Sequence, residues 1–198
     1  GDPAEARRPC DQPAALLIFD EVITGFGRMG TWFAADHYGV TPDMTTFAKG
    51  VTSGYQPLGG VIVGRAVRDA LEADADFILR HGYTYSGHPA ACAGALANLE
   101  IIEREGLLGE AIRLGSRLGA GLRALEADGA VDHVRGDVAI FGAQLHEHHN
   151  AMHVRDRMLE LGVITRAIGT ETVTFCPPFV TTDEQVDRIV DALATALA

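Results

Sequence analysis

The sequence predicts an α/β fold in two parts: residues 1–105 carrying part of a parallel-rich sheet, and residues 106–198 forming a smaller α+β domain. Three observations carry that reading. Ala14-Ala15-Leu16-Leu17-Ile18-Phe19 is an unbroken apolar run, the pattern of a strand buried on both faces of a parallel sheet. Two long segments, Pro89 to Arg104 and Leu107 to Ala127, place Ala, Leu and Ile at helical spacing on either side of Gly106. Beyond them, apolar runs at Val138 to Leu145, Val163 to Ala167 and Val173 to Cys176 read as the strands of the second part.

The first strand stops abruptly at Asp20-Glu21. Ligands of open α/β sheets bind at the carboxyl ends of strands, so an acid pair there is either a structural cap or a ligand contact, and position alone leaves both open. Next, Thr45-Thr46-Phe47-Ala48 leads into Lys49-Gly50-Val51-Thr52-Ser53-Gly54, a short strand running into a loop full of turn residues. In the second long helix, Leu107, Ala111, Leu114, Leu118, Leu122 and Leu125 form one apolar stripe, which is a core face, although glycines inside it weaken the helix. Gly115-Ser116 falls within that helix and is therefore no phosphate-binding loop. Thr182, with Gln185 three residues later, is a capping box that opens a closing helix.

Lys49 is the single lysine among fifteen arginines. Arginine replaces lysine wherever a cation suffices, but only a lysine amine sheds its proton and bonds to a carbonyl. An arginine-biased composition that left one lysine by accident is the plain alternative. The residues around Lys49 are uncharged, which would let the amine be desolvated and its pKa fall toward neutrality.

A net charge of −11 and a pI near 5 argue against a broad nucleic-acid or anionic-membrane surface. Cys10, Cys92 and Cys176 are widely spaced and read as free thiols of a reducing compartment. The first residues do not resemble a secretion signal, and no apolar run approaches the roughly 20 residues of a membrane helix, so the expected location is cytoplasmic. His146-Glu147-His148-His149 with His153 lacks a structural zinc spacing and reads as a solvated loop, so no metal is expected.

Phe19-Asp20-Glu21-Val22-Ile23-Thr24-Gly25-Phe26-Gly27-Arg28, followed by Phe47-Ala48-Lys49-Gly50, resembles the class III aminotransferases. The resemblance runs on through His81-Gly82-Tyr83-Thr84-Tyr85-Ser86-Gly87-His88-Pro89 and resumes at Gly162-Val163-Ile164-Thr165-Arg166-Ala167, covering most of the chain. It implies a partial fold-type I pyridoxal-phosphate enzyme. Lys49 would form the imine with the cofactor aldehyde and then serve as the base that moves the substrate proton. Asp20 would pair with the pyridine nitrogen and keep it protonated. Val22, if the strand stays extended, shares Asp20's face and would pack on the ring. Thr84 would reach the cofactor phosphate of a neighbouring subunit, which implies a homodimer. Arg166 would bind the carboxylate of the acceptor. Core packing for Val22, turn capping for Thr84 and a solvated position for Arg166 are the structural alternatives.

Ile23 stands where ornithine and 4-aminobutyrate members carry glutamine, which points to the branch that transfers an amino group from an amine or omega-amino acid to a keto acid such as pyruvate. Departures from the family pattern are Pro13, Met29 and a short segment at His146 to Asn150. Family members also have a long N-terminal half, with a glycine and serine loop for the phosphate and an aromatic over the ring, ahead of the Asp20 strand. A non-catalytic remnant and an aminomutase or decarboxylase on the same scaffold stand as alternatives.

Overall fold

A computed structural model describes residues 5, 7, 10 and 15–198, so Pro13 and Ala14 lie outside the described residues. The chain forms two compact units, residues 1–27 with 31–105, and residues 28–30 with 106–198.

The first unit holds β1 (Ile18–Asp20), α1 (Ala34–Tyr38), β2 (Met44–Phe47), a 3-10 turn at Lys49–Val51, β3 (Gly60–Val63), α2 (Arg65–Glu72) and α3 (Pro89–Arg104). Its sheet is ordered β1-β2-β3 and is mixed, with β1 and β2 parallel and β3 antiparallel to β2. Asp20 lies opposite Thr46, which fixes where the two parallel strands end. At their other ends the Asp43 carboxylate accepts from the Leu17 amide and from Arg7, each at 2.8 Å. The Leu17 amide, assisted by Arg7, holds that carboxyl below its usual range. α3 opens with His88, whose Nδ1 accepts from the Ala91 amide, and with Pro89 at the first position, where the lost N–H costs nothing.

The second unit comprises α4 (Leu107–Ala127), β4 (His133–Asp137), β5 (Ile140–Gln144), α5 (Ala151–Glu160), β6 (Arg166–Ile168), β7 (Thr172–Phe175) and α6 (Asp183–Leu197). The sheet runs β4-β5-β7-β6 and every pairing is antiparallel. Ala111, Leu114, Leu118 and Leu122, four members of the predicted stripe, are fully buried against Phe141, Val173, Met158 and Leu193. The Thr182–Gln185 capping box forms in both directions. Outside the core, Arg117 binds both oxygens of Asp187 and Arg113 pairs with Asp183, tying α4 to α6 along their exposed sides.

Glycine weakens an isolated helix, yet here it is what lets α4 dock. A Cβ on Gly115 would lie 1.7 Å from the Val138 carbonyl oxygen, and one on Gly119 would lie 2.7 Å from the Phe141 ring. Residues 28–30 join this unit because the Arg28 guanidinium donates to the carbonyls of Ala139 at 3.1 Å and Pro177 at 2.7 Å and lies over the Phe179 ring.

Three expectations need correction, and one strand went unpredicted. The strand expected to be buried on both faces is open, with Leu16 51% and Ile18 53% exposed, because little packs over its faces; laterally, β1 has β2 on one side only among the described residues. The run at Val138 to Leu145 becomes a strand only from Ile140, since Val138 takes a left-handed φ of 47° in the turn that joins β4 to β5. β4 itself was not anticipated, because His133-Val134-Arg135-Gly136-Asp137 is polar and exposed at every position but Val134. The run at Val163 to Ala167 shifts to Arg166–Ile168, the stretch that pairs with β7.

Gly115→Ala is expected to destabilise the second unit by about 1–3 kcal/mol, as overpacking does. Gly109, in the same helix, has nothing within 4 Å of its Cβ position, so Gly109→Ala should stabilise by roughly 0.5–1 kcal/mol. Urea unfolding followed by circular dichroism checks the pair; equal midpoints for the two variants would contradict the close approach at Gly115.

Candidate active site

The site in the first unit is built on the carboxyl ends of two neighbouring parallel strands. Asp20 is the last residue of β1, and Lys49 follows β2 after the single residue Ala48. Adjacent strands lie about 4.8 Å apart, so in-register ends bring their outgoing residues to one edge of the sheet.

The adjacent acids differ, and Glu21 takes the structural role. Glu21 is 1% exposed and is wholly committed to structure. Its Oε2 accepts from the Thr24 hydroxyl at 2.5 Å and the Ala34 amide at 2.9 Å, while Oε1 accepts from the Ala35 amide at 2.7 Å. A carboxylate on the first amides of α1 satisfies donors that the helix cannot, and meets the positive end of its dipole. Asp20, by contrast, is exposed. Its Oδ1 accepts from the Val22 amide at 3.1 Å and the Thr46 hydroxyl at 3.4 Å, and its Oδ2 has no partner among the described residues.

Lys49 is exposed, against the desolvated position expected of it, because the loop around it leaves its side chain uncovered. Its backbone is unusual, with φ of 46°, a left-handed conformation that non-glycine residues reach at a cost of about 1–3 kcal/mol. The turn is held from two sides. Gly50 is packed so closely that a Cβ there would lie 3.2 Å from both the Gly25 carbonyl oxygen and the Phe26 Cβ. On its other side the Asn98 amide donates to the carbonyls of Gly50 at 2.9 Å and Val51 at 3.2 Å. Phe26 in turn packs edge-on against Phe33 and Phe47, and the Gly25 amide bonds the Glu21 carbonyl.

Val22 does not share the strand face of Asp20. β1 ends at Asp20 and the chain turns, leaving Val22 half-buried in the turn with its amide on the Asp20 carboxylate. Thr84 is exposed in a turn at residues 84–87. The capping role there falls to Ser86, whose Oγ accepts from the Tyr83 amide at 2.9 Å, and no described residue engages the Thr84 hydroxyl. Arg166 begins β6 in the second unit; it is exposed, and its guanidinium has no carboxylate partner among the described residues. In the histidine segment His146 stacks on His148, His149 packs against His148 with its ring tilted, and His146 bonds the Gly129 carbonyl. Burial followed by the charges of His148 and His146 lowers the His149 pKa.

Strand position alone did not separate Glu21 from Asp20, the resemblance giving a role to Asp20 only, and no motif in the sequence singled out Asn98. The signal for Asn98 was available, an asparagine within the apolar Ala-Leu-Ala-Asn-Leu stretch of α3, but its partners are backbone carbonyls that no pattern reveals.

The family model of class III aminotransferases matches residues 3–197, and the chain belongs to that family. It is 44% identical over 190 residues to a diaminobutyrate–2-oxoglutarate transaminase of Halomonas elongata, covering 88% of this chain and 40% of the relative. It is 38% identical to a beta-alanine–pyruvate aminotransferase of Pseudomonas aeruginosa, covering 96% of this chain and 44% of the relative. Among solved structures, an (S)-enantioselective omega-transaminase from Thermomicrobium roseum superposes with a TM-score of 0.90 at 37% identity, over 99% of this chain and 46% of that one. The chain thus spans less than half the length of these relatives. Class III aminotransferases are pyridoxal-phosphate enzymes, and the fold is a partial fold-type I transferase.

The division of labour between the two acids is measurable. Glu21→Ala should lower the stability of the first unit by about 3 kcal/mol, because it orphans buried donors. Asp20→Asn should change it by less than about 0.5 kcal/mol, as for other exposed positions. Fluorescence of the single tryptophan, Trp32, during urea unfolding reports on this unit; similar losses for both variants would remove the distinction.

Proposed function

We propose that this chain carries the lysine-bearing part of a pyridoxal-phosphate aminotransferase that passes an amino group from an amine or omega-amino acid to a keto acid such as pyruvate. One observation supports it above the others: a free-ended carboxylate, Asp20, and an exposed lysine, Lys49, leave one edge of a sheet on adjacent parallel strands in register.

The residues present fit the cofactor. Pyridoxal phosphate, when bound, supplies an aldehyde and an electron-accepting ring. Asp20 keeps Oδ2 available for a ring N–H, while the Thr46 hydroxyl and Val22 amide hold Oδ1 and set the plane of the carboxylate. Lys49 supplies the amine that bonds to a carbonyl when deprotonated and that carries a proton when it is not. Arginine in its place, permanently protonated, could neither bond to the carbonyl nor give up its proton. The Thr84 hydroxyl, engaged by no described residue, is a donor for a phosphate oxygen; in this reading it serves the neighbouring subunit of a homodimer. Val22 and Ile23, half-buried and exposed in the turn after Asp20, offer apolar contact to the ring and no hydrogen bond to its oxygen. Arg166 offers an unoccupied fork of donors for the carboxylate of the amino acceptor. The protein is proposed to work in the cytoplasm, with small-molecule amine and keto-acid partners and no metal.

Incubation with pyridoxal phosphate, reduction with borohydride and peptide mapping should place the adduct on Lys49. An adduct confined to the terminal amine, with Lys49 unmodified, would refute the assignment. In the active protein, Arg166→Ala should slow the keto-acid half-reaction about 100-fold, the loss of a charged bidentate contact, and the half-reaction with a simple amine less than about threefold. Equal losses in the two half-reactions, measured by single-turnover absorbance, would deny Arg166 a selective role.

A further inference from the structure

The first unit carries one side chain whose hydrogen bonds all go to the lysine-bearing turn and which no motif accounts for. Asn98 lies in the middle of α3 and is half-buried. Its Nδ2 donates to two successive carbonyls, Gly50 at 2.9 Å and Val51 at 3.2 Å. Both belong to the 3-10 turn that starts at Lys49. A primary amide carries two N–H donors in one plane, so one asparagine satisfies both carbonyls, which no hydroxyl or carboxylate of similar size can do.

The turn is the strained point of the loop. Lys49 has φ of 46° and Ser53, at its far end, φ of 51°. Such conformations persist only where the surroundings over-determine them. Gly50 is pressed against Gly25 and Phe26, which blocks one direction of relaxation. α3 blocks the other at two points one helical turn apart: Asn98 on the carbonyls, and Gly94, whose Cβ position is 3.2 Å from the Gln56 side chain. Thr52, buried, closes the loop by donating to the Gln56 carbonyl at 2.6 Å.

We infer that Asn98 is a positioning residue: it holds the left-handed backbone from which the Lys49 amine is presented. This rests on the reading of Lys49 as the reactive amine, and the two ideas fail separately in the following test. Asn98→Leu keeps the volume and removes both donors; Asn98→Gln retains them one methylene further out. In the cofactor-free full chain, hydrogen exchange at the amides of Val51, Thr52 and Ser53 should accelerate about tenfold in Asn98→Leu, as expected for losing two neutral hydrogen bonds. Exchange in α4 should not change. Competitive acetylation of Lys49 against the terminal amine, as a function of pH, should shift in Asn98→Leu, and the rate of borohydride-trapped capture of pyridoxal phosphate should fall about tenfold. Asn98→Gln should recover part of each effect.

A lower unfolding midpoint with unchanged exchange at the turn and unchanged relative acetylation of Lys49 means a merely structural role, and overturns the inference. Should Asn98→Leu not fold, Asn98→Gln decides alone: its acetylation profile should fall between that of the parent and that of the urea-unfolded chain, and a profile identical to the parent's, with unchanged exchange at the turn, counts against positioning. If exchange and acetylation respond but the parent never captures pyridoxal phosphate at Lys49, positioning stands and the functional reading falls.

Discussion

The buried carboxylate of Glu21 is the constraint around which the first unit is arranged. Burying a charge is costly unless its oxygens are occupied, and Glu21 meets that demand with two amides of α1 and one hydroxyl of the intervening turn. In doing so it fixes three things together: where β1 stops, how the chain from Val22 to Phe33 folds back, and where α1 starts. The Gly25 amide returns to its carbonyl, and Gly25 with Phe26 forms the surface on which the Lys49 turn rests. Asp20 is left outward because its neighbour is used inward.

The second unit solves a different problem by a different means. Its core is a four-stranded antiparallel sheet under α4, α5 and α6, and the helix that contributes most to it is also the one with the most glycine. The conflict between propensity and packing is resolved in favour of packing, because tertiary contact routinely overrides the roughly 1 kcal/mol that a helical glycine costs. Where α4 passes Val138 there is no room for even a methyl group, so the backbone itself is the packing surface.

Much of this was legible in the sequence. α3 and α4 begin and end where periodicity and Gly106 put them, and the Thr182–Gln185 box is a local interaction that local pattern reveals. What escaped was set at a distance. The apolar run of β1 carries the signature of a strand covered on both faces, and in this chain its faces are largely open, a matter of neighbours rather than of its own residues. β4 escaped for the opposite reason, since a polar, glycine-containing strand is recognisable only from the partner it pairs with. The candidates Lys49, Asp20, Thr84 and Arg166 were proposed from motif and residue type. The inward turn of Glu21 and the reach of Asn98 were not, because both act on backbone groups, which every residue has and no sequence distinguishes.

An exposed lysine that is the chain's only one has a bearing on chemical ageing. Reducing sugars and lipid-derived aldehydes attack ε-amines, and in most proteins such damage is diluted over many surface lysines of little consequence. Here fifteen arginines carry the remaining fixed cationic charge, and glycation of lysine has one target, in the turn that follows β2. Each such lesion therefore lands on the amine proposed to be reactive, and its extent in a stored sample counts the copies that have lost that amine.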